Sequence, residues 1–355
     1  MSRAGNDAPP ESDAFPGAPH PRFTTRLIGH AAAEAAMLAA YRDGRLAHAW
    51  LIGGREGIGK ATLAWRFARF VLANPDPTMA AVQNARDLFV APDHAAARQL
   101  AALSHPDFAL ARREWNAKSK GFYSEIRVED VRDALSMFHM SAAFGGWRIA
   151  IVDCADELNP AGANALLKMI EEPPPRALIL VVAHQPGRVL PTIRSRCRRL
   201  LLDRLTAAEI EATIEGLGPP WNAIDPARRT QAAKRADGSV REALLRLDPD
   251  AQELGGLIDA AIAQLPRVEP RLIHRLADAV GDRAASNSFA ALNAALCEWL
   301  AVRARAAASP ATRRALTELW DRLRAATRET EALNLDRRLH VLAAFEDIAA
   351  QSRRL

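Results

Sequence analysis

The chain has 355 residues, about half apolar and a quarter charged, with 47 basic and 42 acidic side chains giving a formal charge of +5. That length allows two or three domains with cores of their own, and the composition is that of an ordinary globular protein rather than a fibrous or disordered one. The basic excess is too small to identify a nucleic-acid partner, because a solvated arginine-rich surface accounts for it equally well. The three cysteines, Cys154, Cys197 and Cys297, form no C-x-x-C pair, which argues against a zinc module or a disulfide framework.

Residues 1–20 are rich in Pro, Ala, Gly and Asp and read as a disordered tail without the apolar stretch of a signal peptide, so a cytoplasmic protein is expected. The longest apolar runs, such as residues 177–183, are too short to span a bilayer, so no membrane is expected among the partners. Residues 31–43 predict a helix stopped by Gly44. A buried strand over 47–52 then runs into Gly53, Gly54, Gly57 and Gly59, and a helix follows from Lys60 to about Ala73. Residues 74–125 are less regular. An amphipathic helix over 128–141 precedes a second buried strand (147–152), a helix (159–171) and a third buried strand (177–183). A fourth strand is expected near 200–202. Buried strands alternating with helices imply a parallel α/β sheet covered on both faces. From Thr206 onward only helical patterns occur, and Thr206 with Glu209 makes a capping box for the first of them. The Gly216–Pro220 break, and Pro249 with Gly255-Gly256, suggest joints, and the last helix is expected over 333–350.

Gly54-Arg55-Glu56-Gly57-Ile58-Gly59-Lys60-Ala61 nearly matches the phosphate-binding loop G-x-x-x-x-G-K-[ST]. Such a loop turns backbone N–H groups and a lysine toward phosphates, and its final hydroxyl binds magnesium. Ala61 has no oxygen to offer, and Thr62, one residue further along a helix, points about 100° away. A competent site also ends its second strand with an Asp that holds magnesium and a Glu that orients water. Here Asp153 fills the first place and Cys154 the second. The loop therefore reads as a phosphate-binding element whose chemistry has decayed.

Four stretches together resemble the clamp-loader branch of the AAA+ proteins, and within it the bacterial delta-prime family. They are Leu27-Ile28-Gly29-His30 with residues 44–50; the glycine loop through Ala64; Asp153–Pro160 continuing into Asn164-Ala165-Leu166-Leu167-Lys168 and Glu171-Glu172-Pro173-Pro174; and Leu190–Cys197. The resemblance is good over about residues 23–250 and weaker beyond. It implies an AAA+ P-loop domain at 21–203 after the 1–20 tail, a small helical lid domain at 204–250 and a C-terminal helical oligomerisation (collar) domain at 251–355. The fold class expected is thus α/β plus all-α.

The resemblance also implies roles. Ser195-Arg196-Cys197 matches the family's S-R-C motif, whose arginine enters the neighbouring subunit's ATP site, so Arg196 with Ser195 is the expected catalytic contribution in trans. Gly54, Gly57, Gly59, Lys60, Thr62, Asp153 and the sensor-2 residue Arg241 would line a degenerate nucleotide site with at most weak ATP or ADP binding. His184 stands where relatives keep a polar sensor. The family's four-cysteine zinc module is missing from residues 85–107, so neither zinc nor another cofactor is expected. The implied function is a subunit of the DNA polymerase III holoenzyme that helps load the sliding clamp on primed DNA during replication. It would have no ATPase of its own and would partner gamma/tau and delta. The alternative is an active clamp-loader ATPase of the gamma/tau kind.

Overall fold

The apolar runs of the first half become one parallel sheet in the computed structural model, which describes residues 10–118, 121–265, 267–281, 286–333 and 335–353. Two compact units form: residues up to Trp115 together with Glu125–Leu247, and Asn116–Ser124 together with Asp248–Leu355.

In chain order the α/β elements are α1 (Ala31–Arg42), β1 (Ala49–Gly53), α2 (Lys60–Ala73), α3 (Ala80–Gln83), α4 (Ala95–Ala101), β2 (Phe108–Ala111), β3 (Trp115–Asn116), β4 (Gly121–Phe122), α5 (Val128–Ser136), β5 (Arg148–Val152), α6 (Pro160–Glu171), β6 (Ala177–Ala183), α7 (Pro191–Arg196) and β7 (Arg198–Leu201). The strand order is β2-β5-β6-β1-β7, while β3 and β4 pair separately. Every neighbouring pair in the large sheet is parallel. All residues of β1, β5 and β6 are buried, as their unbroken apolar runs require. Alternate side chains of a strand face opposite ways: Trp50, Ile52 and Ile151 pack with Trp65 and Phe67 of α2 on one face, whereas Leu51, Val152 and Ile179 meet Leu166 and Ile170 of α6 on the other. The loops after β1, β5 and β6 thus converge at the carboxyl edge of the sheet, where ligands of open α/β sheets bind.

Residues Asn116–Ser124, with β4, belong to the second unit; three helices complete the first: α8 (Ala207–Gly216), α9 (Pro226–Arg235) and α10 (Val240–Leu247). Thr206 and Glu209 form the expected capping box. The lid has its own apolar cluster around Ile210, Ile214, Trp221 and Leu244. The second unit contains α11 (Pro249–Gln264), α12 (Pro270–Gly281), α13 (Ser286–Ala306), α14 (Pro310–Ala332) and α15 (Arg337–Ser352), around Leu276, Phe289, Leu292, Leu296, Leu319 and Phe345.

The structure departs from the sequence-based expectation in four places. Gly255-Gly256 is no joint: α11 runs through it, held by Leu254, Ile258 and Ala261 on the buried side. The last helix starts at Arg337, where the Asp336 side chain accepts from Arg338 N and Leu339 N, while Leu333 caps the end of α14. The helix over 128–141 ends at Ser136 and finishes as a 3₁₀ turn over Met137–His139. The largest correction concerns the tail. Residues 1–9 lie outside the described residues, but residues 11–20 are not a disordered tail: Asp13 and His20 are buried 3.0 Å apart, and Phe15 and Ala18 pack against the lid cluster.

Candidate functional site

The loop after β1 is shaped by glycine. Gly54, Gly57 and Gly59 all have positive φ, a conformation that side-chain-bearing residues rarely adopt. A Cβ at Gly54 would lie 2.7 Å from the Leu202 carbonyl oxygen, and one at Gly57 would collide with Ser239 and Arg241. The lid therefore sits directly on the loop. Ser239 Oγ donates to Glu56 O at 2.8 Å, Val240 N donates to Gly57 O at 2.9 Å, and Arg241 pairs with Glu56 at 2.9 Å. Beneath the loop, buried His30 has Nε2 2.7 Å from Ile58 O. Residue patterns had marked His30 only as part of a motif; its role as a prop for the loop needed the fold.

Lys60 opens α2 and is buried, and its ammonium donates to Arg55 O at 2.5 Å. Burial lowers its pKa to about 8, against the opposing pull of Asp153. Asp153 lies at the end of β5, and burial followed by the negative charge of Asp13 raises its pKa to about 7. Ala61 and Thr62 are both half-buried in the first turn of α2. Cys154 adopts a left-handed conformation at φ 59°. Its Sγ lies 3.4 Å from His184 Nε2, and burial together with Asp153 pushes its thiol far above the usual range. A neutral thiol cannot accept a proton as a carboxylate would.

The two acids just beyond Cys154 are committed elsewhere. Asp156 accepts from His184 N at 2.9 Å and Gln185 N at 3.1 Å, which fixes the loop after β6. Glu157 pairs with Arg113 at 2.7 Å. The structure thus gathers Gly54, Gly57, Gly59, Lys60, Asp153, His184 and Arg241 at one edge of the sheet.

Ser195 and Arg196 stand apart from that cluster, in the last turn of α7. Ile193 and Cys197 are buried and anchor the turn, while Ser195 and Arg196 are exposed. Arg196 pairs with Glu171 at the end of α6 at 3.0 Å and donates to Thr192 O at 3.2 Å. Ser195 Oγ donates to Thr192 O at 3.0 Å. Behind them the Arg198 guanidinium lies 4.6 Å from the centre of the Trp50 ring.

The family described as "DNA polymerase III, delta subunit" matches residues 29–206, half of the chain and all five strands of the large sheet. The chain belongs to this family. Among curated relatives it is similar to the DNA polymerase III subunit delta' of Pseudomonas aeruginosa, 36% identical over 151 residues covering 42% of each chain. It is also similar to the subunit delta' of Escherichia coli, 30% identical over 162 residues, 46% of this chain and 44% of that one. The chain thus matches less than half the length of either relative. The gamma/tau subunit of Mycobacterium bovis is 28% identical over 286 residues, 78% of this chain and 46% of that one. The matched residues 29–206 hold both the glycine loop and the α7 turn with Arg196.

Proposed function

We propose that the chain is the delta-prime subunit of a cytoplasmic DNA polymerase III clamp loader, helping to place the sliding clamp on primed DNA. In this reading it does no phosphoryl chemistry of its own and lends Arg196 to the ATP site of a neighbouring subunit. The observation that carries the reading is a division between two sites. The chain's own phosphate loop is paired with Ala61 and Cys154, whereas Arg196 projects from a turn pinned by buried Ile193 and Cys197. A fixed guanidinium set against charge developing on a γ-phosphate is what an arginine finger supplies.

The partners in this reading are gamma/tau and delta. Leu333, Leu335 and Leu339 are exposed on the second unit, as residues of an oligomer interface would be. The reading requires no cofactor and no zinc. His94 and His105, in the stretch where relatives carry the zinc module, are engaged in capping Ala96 N and Asp107 N. No helix among the described residues is long and apolar enough to cross a membrane.

The test uses a loader reconstituted from this chain, gamma/tau and delta. Arg196→Ala is expected to leave assembly intact and to lower clamp- and DNA-stimulated ATP turnover severalfold; unchanged turnover at saturating DNA would sink the finger. A second reading, an active ATPase of the gamma/tau kind, draws on the retained Lys60 and Asp153. It requires the purified chain alone to hydrolyse ATP in a manner abolished by Lys60→Ala.

A further inference from the structure

The segment before α1 is tied down at both ends of a short span. Glu11 receives Arg22 at 2.6 Å and Arg112 at 2.8 Å. Asp13 is paired with Arg112 and lies 3.0 Å from His20. Burial alone would raise the Asp13 carboxyl, but His20 and Arg112 outweigh it and hold the pKa below the usual range. Two residues on, Phe15 packs against Trp221 of the lid, with ring centres 5.9 Å apart. The Arg241 guanidinium lies 5.4 Å from the centre of the Phe15 ring. Trp221 Nε1 then donates to Gly17 O at 2.6 Å.

The anchors place this span. Arg112 directly follows β2, whose last residue Ala111 is in register with Val152 and accepts from Asp153 N at 2.9 Å. Asp13 is therefore fastened beside the strand end that presents Asp153. Arg241 is fastened to Glu56 of the glycine loop at 2.9 Å. Two extended residues reach about 7 Å, so the chain from Asp13 to Phe15 passes between the Asp153 side and the Arg241 side of the loop. The outer phosphates of a nucleotide held by a loop of this kind lie beside its lysine and the acid that ends the second strand, here Lys60 and Asp153.

We infer that residues 11–18 form a strap across the phosphate side of the glycine loop and that this strap, not only the loop's altered residues, keeps nucleotide out. The strap acts by position. Phe15 stacks on the face of Arg241, whose Nε is held by Glu56, so the strap and the loop together fix the direction of that guanidinium, and the pairing of Asp13 with Arg112 holds the strap in place. Opening it means parting Asp13 from Arg112 and Phe15 from Trp221 together, which also frees the lid from the segment.

The inference rests on reading the glycine loop as a degenerate nucleotide site, and the experiment separates the two. Binding of N-methylanthraniloyl-ATP with magnesium is measured by fluorescence on the full chain, for wild type, Asp13→Asn/Phe15→Ala and that double variant with Lys60→Ala added. Asp13→Asn alone, which keeps the shape of the buried side chain, serves if the double variant fails to fold. The strap predicts roughly tenfold tighter binding in the double variant, a smaller gain in Asp13→Asn, and loss of both gains with Lys60→Ala. Equal affinity in wild type and strap variants, whether all bind or none does, overturns the strap. A gain that survives Lys60→Ala would instead overturn the reading of the loop as the phosphate site.

Discussion

Asp153 is the residue whose chemistry is most altered by its surroundings. Its carboxyl, normally near 3.8, is raised to about 7 by burial and by Asp13. Between those two pH values the folded chain keeps a proton that the unfolded chain has released, so stability falls as pH rises through that window and the contribution of this one group is gone above about 7. The loss is on the order of a few kcal/mol, since each pKa unit corresponds to about 1.4 kcal/mol. Lys60, itself lowered to about 8, offers only partial compensation. Asp153→Asn keeps an oxygen for Cys154 N, which Asp153 now receives at 3.0 Å, and removes the titration. Thermal unfolding should therefore show the variant more stable than wild type at pH 8 and level with it near pH 4. A wild-type advantage at pH 8 would mean that Asp153 is ionised and well solvated in the folded chain.

At the scale of elements, local chemistry can be tested where it is self-contained. The Thr206 hydroxyl and the Glu209 carboxylate satisfy each other's backbone groups at the start of α8, with Thr206 N donating to Glu209 at 2.7 Å. Thr206→Ala should cost about 1 kcal/mol, read as a lower denaturation midpoint of the unit that contains the lid. This cap was legible in the sequence, as were β1, β5, β6 and the helices α2, α5 and α6, because unbroken apolar runs bounded by Gly or Pro leave few alternatives. The cluster around Lys60 and Asp153 was legible for the same reason, since each residue follows a strand that could be located. The strap was not. A stretch of Pro, Gly and Asp normally lacks the apolar surface to fold. What orders this one lies at Arg112 and Trp221, about a hundred and two hundred positions away. Gly255-Gly256 misled for a related reason: each glycine costs a helix roughly 1 kcal/mol, a penalty that burial of Leu254 and Ile258 outweighs. The Glu171 partner of Arg196 was equally invisible, because nothing in the spacing of two exposed residues shows that the ends of α6 and α7 meet.

For the molecule as a whole, the C-terminal unit has an acid sensitivity of its own. In its core the Asn293 side-chain oxygen meets Thr327 Oγ1 at 3.0 Å and His340 Nε2 at 2.8 Å, and His340 Nδ1 lies 3.1 Å from Thr330 Oγ1. Burial lowers the His340 pKa below its ordinary 6.5. As pH falls through 6.5 the unfolded chain takes up a proton that the folded unit resists, so the unit loses stability. Hydrogen exchange of α13–α15 should accelerate between pH 7 and pH 5, and His340→Gln should flatten that dependence; an unaltered slope in the variant would place the titration elsewhere. The first unit carries the opposite tendency at Asp153, so mild acid should weaken one half of the chain while relieving a cost in the other.

The bonds from Ser239 Oγ and Val240 N to the carbonyls of Glu56 and Gly57 make the lid's position and the shape of the glycine loop a single mechanical variable. A swing of the lid must therefore either part these two bonds or carry with it the peptide groups that would cradle a phosphate.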